Sequence, residues 1–161
     1  MKKTQSLKLM LLGLMASVST SALAAVGDVF QYGPSDGTAA TLFYEQTGET
    51  TAKVIGVQTI NPANGMVIIP DKCLNTMDGY KSLDVTGIDD NWAGKTVVVI
   101  KHQNLDGSWT EYNPQPAFNF EEYDGTITLD IQATKLYNVN TDALQSLTPW
   151  IEKFIVSPTQ V

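Results

Sequence analysis

Arginine is missing from this sequence altogether, and histidine and cysteine occur once each. Each scarcity removes a chemistry. Without Arg there is no bidentate fork for guanine or phosphate, and the seventeen acidic residues outnumber the ten lysines. Such a chain repels polyanions, which excludes nucleic-acid binding and electrostatic docking on anionic lipid. A lone cysteine closes no disulfide within its own chain, so a disulfide framework is ruled out. Cys73 is read as a buried thiol, the usual place of an unpaired cysteine. One imidazole leaves zinc short of its preferred ligands. Any Ser-His-Asp arrangement would have to run through His102, and no G-x-S-x-G elbow is there to present a serine. Neither common glycine-rich phosphate loop is present. No metal or cofactor is expected from this inventory. Charged residues make up only 17% of the chain, too few for charge-driven disorder.

Long apolar runs are scarce too. The one at residues 9–16 (LMLLGLMA) falls well short of the ~20 residues a bilayer span needs. It follows Lys2, Lys3 and Lys8 and precedes Ala22-Leu23-Ala24, which offers small residues at the two positions a signal peptidase accepts. Residues 1–24 therefore read as a signal peptide of bacterial look, and residues 25–161 as the exported domain, periplasmic or extracellular. No cysteine follows the cleavage site, so a lipid-modified N-terminus is not expected, and the mature chain carries no integral membrane segment. Three of the ten lysines leave with the leader while all seventeen acids stay, giving 7 − 17 = −10 for the mature chain. That surface suits solubility outside the cytoplasm, and divalent cations or neutral ligands such as sugars.

What is present is alternation. TLFYEQ at 41–46 and TAKVIGV at 51–57 flank Thr47-Gly48-Glu49 as a hairpin. Asn61 to Gly65 is a dense turn signal before MVII at 66–69. LDVTGI at 83–88 alternates cleanly, and TVVVI at 96–100 has the β-branched continuity of a strand buried on both faces. Asn104-Leu105-Asp106-Gly107 turns the chain toward WTEY at 109–112. Pro114 and Pro116 forbid a central strand there. Asp124-Gly125 reads as a hairpin turn into TITLDIQA at 126–133, whose Ile127, Leu129 and Ile131 share a face. Only the tail changes rhythm: Asn140-Thr141-Asp142 reads as a cap for a short helix bearing Leu144 and Leu147. Pro149 then restarts a helical turn with Trp150, Ile151, Phe154 and Ile155 on one side. The expected fold is mainly β, a single antiparallel β-sandwich or meander domain with a short C-terminal helix.

Residues 41–100 carry a further pattern: Val67-Ile68-Ile69-Pro70, Gly79-Tyr80, Val85-Thr86-Gly87-Ile88, Asp89 to Gly94 with Trp92, and Val97 to Ile100. This order resembles one repeat of bacterial surface leucine-rich-repeat proteins of the treponemal type, with Trp92 where the family usually has Phe. No second "I-P" strand follows Lys101, so the resemblance covers about sixty residues. It implies surface adhesion or host contact and no catalytic residue.

Carboxylates and aromatics remain as candidate chemistry. Glu111, Glu121 and Glu122 are the acids available to a small carboxylate-dependent hydrolase. Asp89-Asp90-Asn91 and Glu121-Glu122-Tyr123-Asp124 have oxygen ligands for calcium but lack an established loop spacing. Trp92, Trp109, Tyr112 and Tyr123 fall in or beside turns, and are the candidate ligand-binding residues, set to stack on a sugar face. The competing role for the same rings is to plug the ends of a β-core. The reading favoured by the inventory is a binding or adhesion domain for carbohydrate or another envelope or host protein, without catalysis. A hydrolase is one alternative. A periplasmic assembly subunit or inhibitor, which would expose an unpaired edge strand, is the other.

Overall fold

Alternation of apolar and polar side chains over short stretches, punctuated by Gly, Pro and Asn, builds strands and little else. The structure, a computed structural model, describes residues 25–60, 64–123, 125–139 and 151–156. Thirteen strands follow one another along them: β1 Val29–Tyr32, β2 Thr41–Gln46, β3 Thr51–Thr59, β4 Met66–Ile69, β5 Lys72–Asn75, β6 Lys81–Ile88, β7 Val97–Val98, β8 Lys101–Gln103, β9 Trp109–Glu111, β10 Gln115–Pro116, β11 Ile127–Ile131, β12 Asn138–Val139 and β13 Ile151–Val156. A single 3-10 turn, Phe120–Glu122, is the helical element among the described residues.

The strands form an eight-stranded sheet in the order β12-β6-β3-β2-β1-β8-β9, with β5 also on β6, a three-stranded sheet β13-β11-β4, and a β10-β7 pair. The fold is mainly β, as expected, but its pairing is mixed. β3, β6 and β12 run parallel, and so do β4, β11 and β13. The chain passes from the first ladder to the second three times: β3 to β4, β6 to β11, β12 to β13. Parallel neighbours need a crossover, and here the crossover is a strand of the facing sheet. A winding of this kind buries the inner faces of both sheets in one core. Leu42, Tyr44, Val54, Leu83 and Val85 come from the large sheet, and Val67, Ile69, Ile127, Leu129 and Ile131 from the small one. The other face of β1 and β2 holds a smaller cluster of Val29, Phe43 and Val98.

Several local expectations hold. β2 and β3 form the antiparallel hairpin around Thr47-Gly48, and Gly107, at φ +89°, closes the β8–β9 turn. Others are corrected. The stretch TVVVI gives only the two-residue β7, with Val97 half exposed, because its partner among the described residues, β10, is itself only two residues long and no second layer covers Val97. Among the described residues β11 pairs with β4 and β13, both parallel, and not with a preceding antiparallel strand as a hairpin would require; Asp124 itself lies outside the described residues. Ile151–Val156 is a strand, not a helical turn. In six residues an i, i+3, i+4 pattern cannot be told from a β-branched strand, and the open edge of β11 decides for the strand. The remainder of the expected helix, residues 140–150, lies outside the described residues, as does the signal peptide.

Candidate functional site

Strand register brings four polar residues into a row at one end of the main core. Asp28 precedes β1, Gln46 ends β2, and His102 and Thr110 face each other across β8 and β9. Asp28, Gln46 and Asn75 are fully buried. Asn75 lies in β5 and reaches in from beside the row: its Nδ2 donates to Asp28 Oδ2 at 3.1 Å and to Gln46 Oε1 at 2.8 Å. His102 Nδ1 sits 2.8 Å from Asp28 Oδ2, and the Gln103 backbone N–H donates to Asp28 Oδ1 at 2.8 Å. A buried carboxylate is tolerable only when its oxygens are satisfied in this way. The row has a His–Asp contact, and at its end the Thr110 hydroxyl is engaged by Asn104, at 3.1 and 3.2 Å. These hydrogen bonds staple β1, β2, β5 and β8 together. Nothing in the sequence signalled them, since Asp28 after Gly27 reads as an ordinary turn acid.

The four aromatic candidates are not brought together. Trp92 is fully buried, packed in the core at a tilt against Phe120 with ring centroids 5.6 Å apart, so it plugs the core and offers no binding face. Its Nε1 has no partner, and it is the only fully enclosed side-chain polar atom so placed among the described residues. Tyr123 packs edge-on against Phe118 at 5.1 Å, at the margin of the same core. Trp109 and Tyr112 are exposed, by 39% and 48%, on and beside the edge strand β9. Trp109 lies in β9 and Tyr112 directly follows it. The Trp109 ring lies close to Lys101 and Gly27. Lys101 Nζ stands 4.7 Å from its centroid, and its Cη2 leaves no room for a side chain on Gly27, where a Cβ would sit 2.8 Å away. Every residue from 105 to 114 is exposed, and Leu105 is 90% so.

The acids do not converge on a metal. Asp89 pairs with Lys53 at 3.4 Å and accepts from the Asn91 backbone N–H at 3.3 Å. No group of three or more His, Cys, Asp or Glu is placed to hold a metal ion among the described residues. Glu111 and Glu122 are both exposed, and the Glu121 side chain lies outside the described residues. Asp84 is bridged by Lys72 and Lys135. Their hydrogen bonds hold its carboxyl below the usual range, as hydrogen bonds from Thr134 do for Asp71. Cys73 is buried in β5, and burial pushes its thiol up to about 12. The nucleophilic thiolate is therefore absent at neutral pH.

Two clefts open beside these elements. One, about 340 Å3, is polar, lined by Thr47, Lys53, Thr86, Asp89 and Asp90. The other, about 350 Å3, lies between the ends of the two sheets, where Tyr32, Leu42 and Tyr44 face Ile68, Pro70 and Gln132. No described helix is long and apolar enough to cross a membrane. Comparison with family models, curated proteins and solved structures finds no match for this chain. The residues that carry the leucine-rich-repeat resemblance fall on β4, β6 and β7, in three different sheets, and β4 and β6 find their parallel partners in β3, β11 and β12.

Proposed function

We propose that this chain is an exported binding domain that engages a glycan, a matrix component or another envelope or host protein, and does no chemistry on it. One observation carries the reading: the unbroken exposed run at residues 105–114, which displays Leu105, Trp109 and Tyr112 on a hairpin rooted in the large sheet. Surface apolar side chains grouped on one projection mark contact sites. Asn, Ser, Gly, Trp and Tyr on such a loop are the residues that bind by stacking and adaptable hydrogen bonds at low entropic cost. Trp109, held by Lys101 and Gly27, loses little freedom when a partner covers it. A surface of net charge 7 − 17 = −10 after residue 24 favours a neutral partner over an anionic one.

The test is a glycan array and a panel of matrix proteins, probed with the protein and with its Trp109→Ala/Tyr112→Ala variant. Binding should fall by about 1 to 3 kcal/mol per anchor lost, with the urea midpoint unchanged. Equal binding by the two proteins, or a hydrolytic turnover abolished by Glu111→Gln, would overturn the reading. A second reading, an assembly subunit, is favoured by the place of β9 at the end of the eight-stranded order. It requires a mass in solution that rises with concentration.

A further inference from the structure

The β8–β9 hairpin hangs from the domain by one end. No residue from Lys101 to Pro114 is buried, so none of it enters either core. Its two legs meet the domain at a common base, where β7 pairs with β10 and where Ile100 and Ala117 pack on Val29, Phe43 and Val98. Beyond that base β9 pairs with β8 alone among the described residues, and β8 meets β1 through the one pair Val29↔Lys101. An antiparallel ladder carried on in that register would set Gly27 opposite Gln103. It does not continue, because Gly27 turns away at φ +98° and gives its N–H to the Gln46 carbonyl.

The Asp28 carboxylate takes over where the backbone ladder stops. Its Oδ1 accepts from the Gln103 backbone N–H and its Oδ2 lies against His102 Nδ1, both at 2.8 Å. Asp28 is itself fixed to the body of the domain: its carbonyl accepts from the Gln46 N–H at 2.9 Å, and Asn75 donates to Oδ2. The hairpin has bonds of its own, from the Asn104 N–H to the Ser108 carbonyl at 2.7 Å and from the Tyr112 N–H to the Ile100 carbonyl at 2.9 Å. Lifting it therefore breaks few contacts, and the carboxylate it uncovers gains water in exchange. We propose that the β8–β9 hairpin is a hinged arm, latched on the sheet by Asp28, that swings about Ile100–Lys101 and Asn113–Pro114 while the domain stays folded. Latched, it rests Trp109 beside Gly27; lifted, it parts the two. The motion does not depend on what the hairpin recognises, so it is tested without a partner.

The test is native-state hydrogen exchange of the full chain, followed by NMR over a series of low urea concentrations. The Gln103 amide should exchange through an opening that barely responds to urea, because the swing exposes little surface. The amides of Tyr44 and Val54, inside the β2–β3 ladder, should exchange only by global unfolding. Val54→Ala weakens the core and should speed exchange at Tyr44 by about tenfold or more, while leaving Gln103 within about twofold. His102→Ala should speed exchange at Gln103 by about tenfold. His102→Asn, whose amide can donate in place of Nδ1, should restore most of that loss. Relaxation dispersion at the Trp109 indole and at the Gln103 amide should return one shared open population. The arm is overturned if Gln103 follows Tyr44 across the urea series, or is accelerated equally by Val54→Ala. An unchanged Gln103 rate in His102→Ala, no recovery in His102→Asn, or unrelated populations at Trp109 and Gln103 would overturn it as well. Should a variant fail to fold, the urea series on the wild-type chain decides alone.

Discussion

At the scale of single residues, the least replaceable side chain is one that composition gives no reason to notice. Asn75 holds Asp28 and Gln46 through one amide nitrogen, while its Oδ1 accepts from the Met77 backbone N–H at 2.9 Å. Asn75→Ala strands those groups in the interior, and should cost about 2 kcal/mol or more in urea unfolding at neutral pH. A loss under half of that would mean that water replaces the amide. Cys73 has the role expected of it. Its folded-state pKa, about 12, lies above the ordinary thiol value of 9.0, so burial favours the protonated form. The unfolded chain gives up that proton first. Its contribution is complete below pH 9 and is lost between pH 9 and 12, at up to about 1.4 kcal/mol per pH unit for one proton. Tyr44, whose hydroxyl burial also raises, adds to the same alkaline decline. Cys73→Ala should flatten the fall in that window, and the native thiol should label far more slowly than the unfolded one.

Elements are tied together by close approaches that strand propensity does not foresee. Gly27 sits at φ +98° in the turn before β1, where an added Cβ would meet the Trp109 ring of β9. Its N–H donates to the Gln46 carbonyl at 2.8 Å, so the turn is anchored to β2 as well. Gly27→Ala combines a left-handed backbone with a methyl group inside the indole contact. It should destabilise by about 1–2 kcal/mol and raise the exposure of Trp109, measurable as a red shift in tryptophan emission. An unshifted spectrum would show that the ring does not depend on Gly27. The β2–β3 hairpin and the inward face of β11 were legible from the order of residues, since period-two alternation and a Gly-containing turn are local signals. The parallel partners of β11 were not. They lie about sixty residues upstream and about twenty-five downstream, and no local pattern encodes such separations.

For the whole molecule, acid and alkali act through different groups. Asp84 and Asp71 both have carboxyls depressed by hydrogen bonds, from Lys72 and Lys135 in one case and Thr134 in the other. Depressed folded-state values mean that their contribution is present above the ordinary carboxyl pKa near 3.8 and is lost as pH falls through the folded values. Stability should hold from pH 7 to about 4 and then decline. Asp84→Asn should be less stable than wild type at pH 7, with a shallower acid limb in urea titrations. Parallel acid limbs for the two proteins would show that the Lys72–Asp84–Lys135 cluster is screened to insignificance. Salt should matter little to recognition by the 105–114 hairpin, because stacking and neutral hydrogen bonds are not screened. A steep fall in binding between low and moderate salt would point to ion pairing instead.

The order of residues alone determined that the chain is β-rich, because alternation and turn residues are local properties, and that its inventory is poor in catalytic groups. It left open which aromatics face water. Trp92 and Trp109 look alike in sequence, each beside a turn and near an acid. Packing put the first against Phe120 and left the second at a sheet edge. Only the tertiary structure assembled Asp28, Gln46, Asn75 and His102, drawn from four separate strands or their ends, into one satisfied network. The same holds for the cleft around Tyr44, whose walls come from β1, β2 and β4. Such sites exist only once strands distant in the chain are in register, since the free energy that places them is the burial of a core both sheets share.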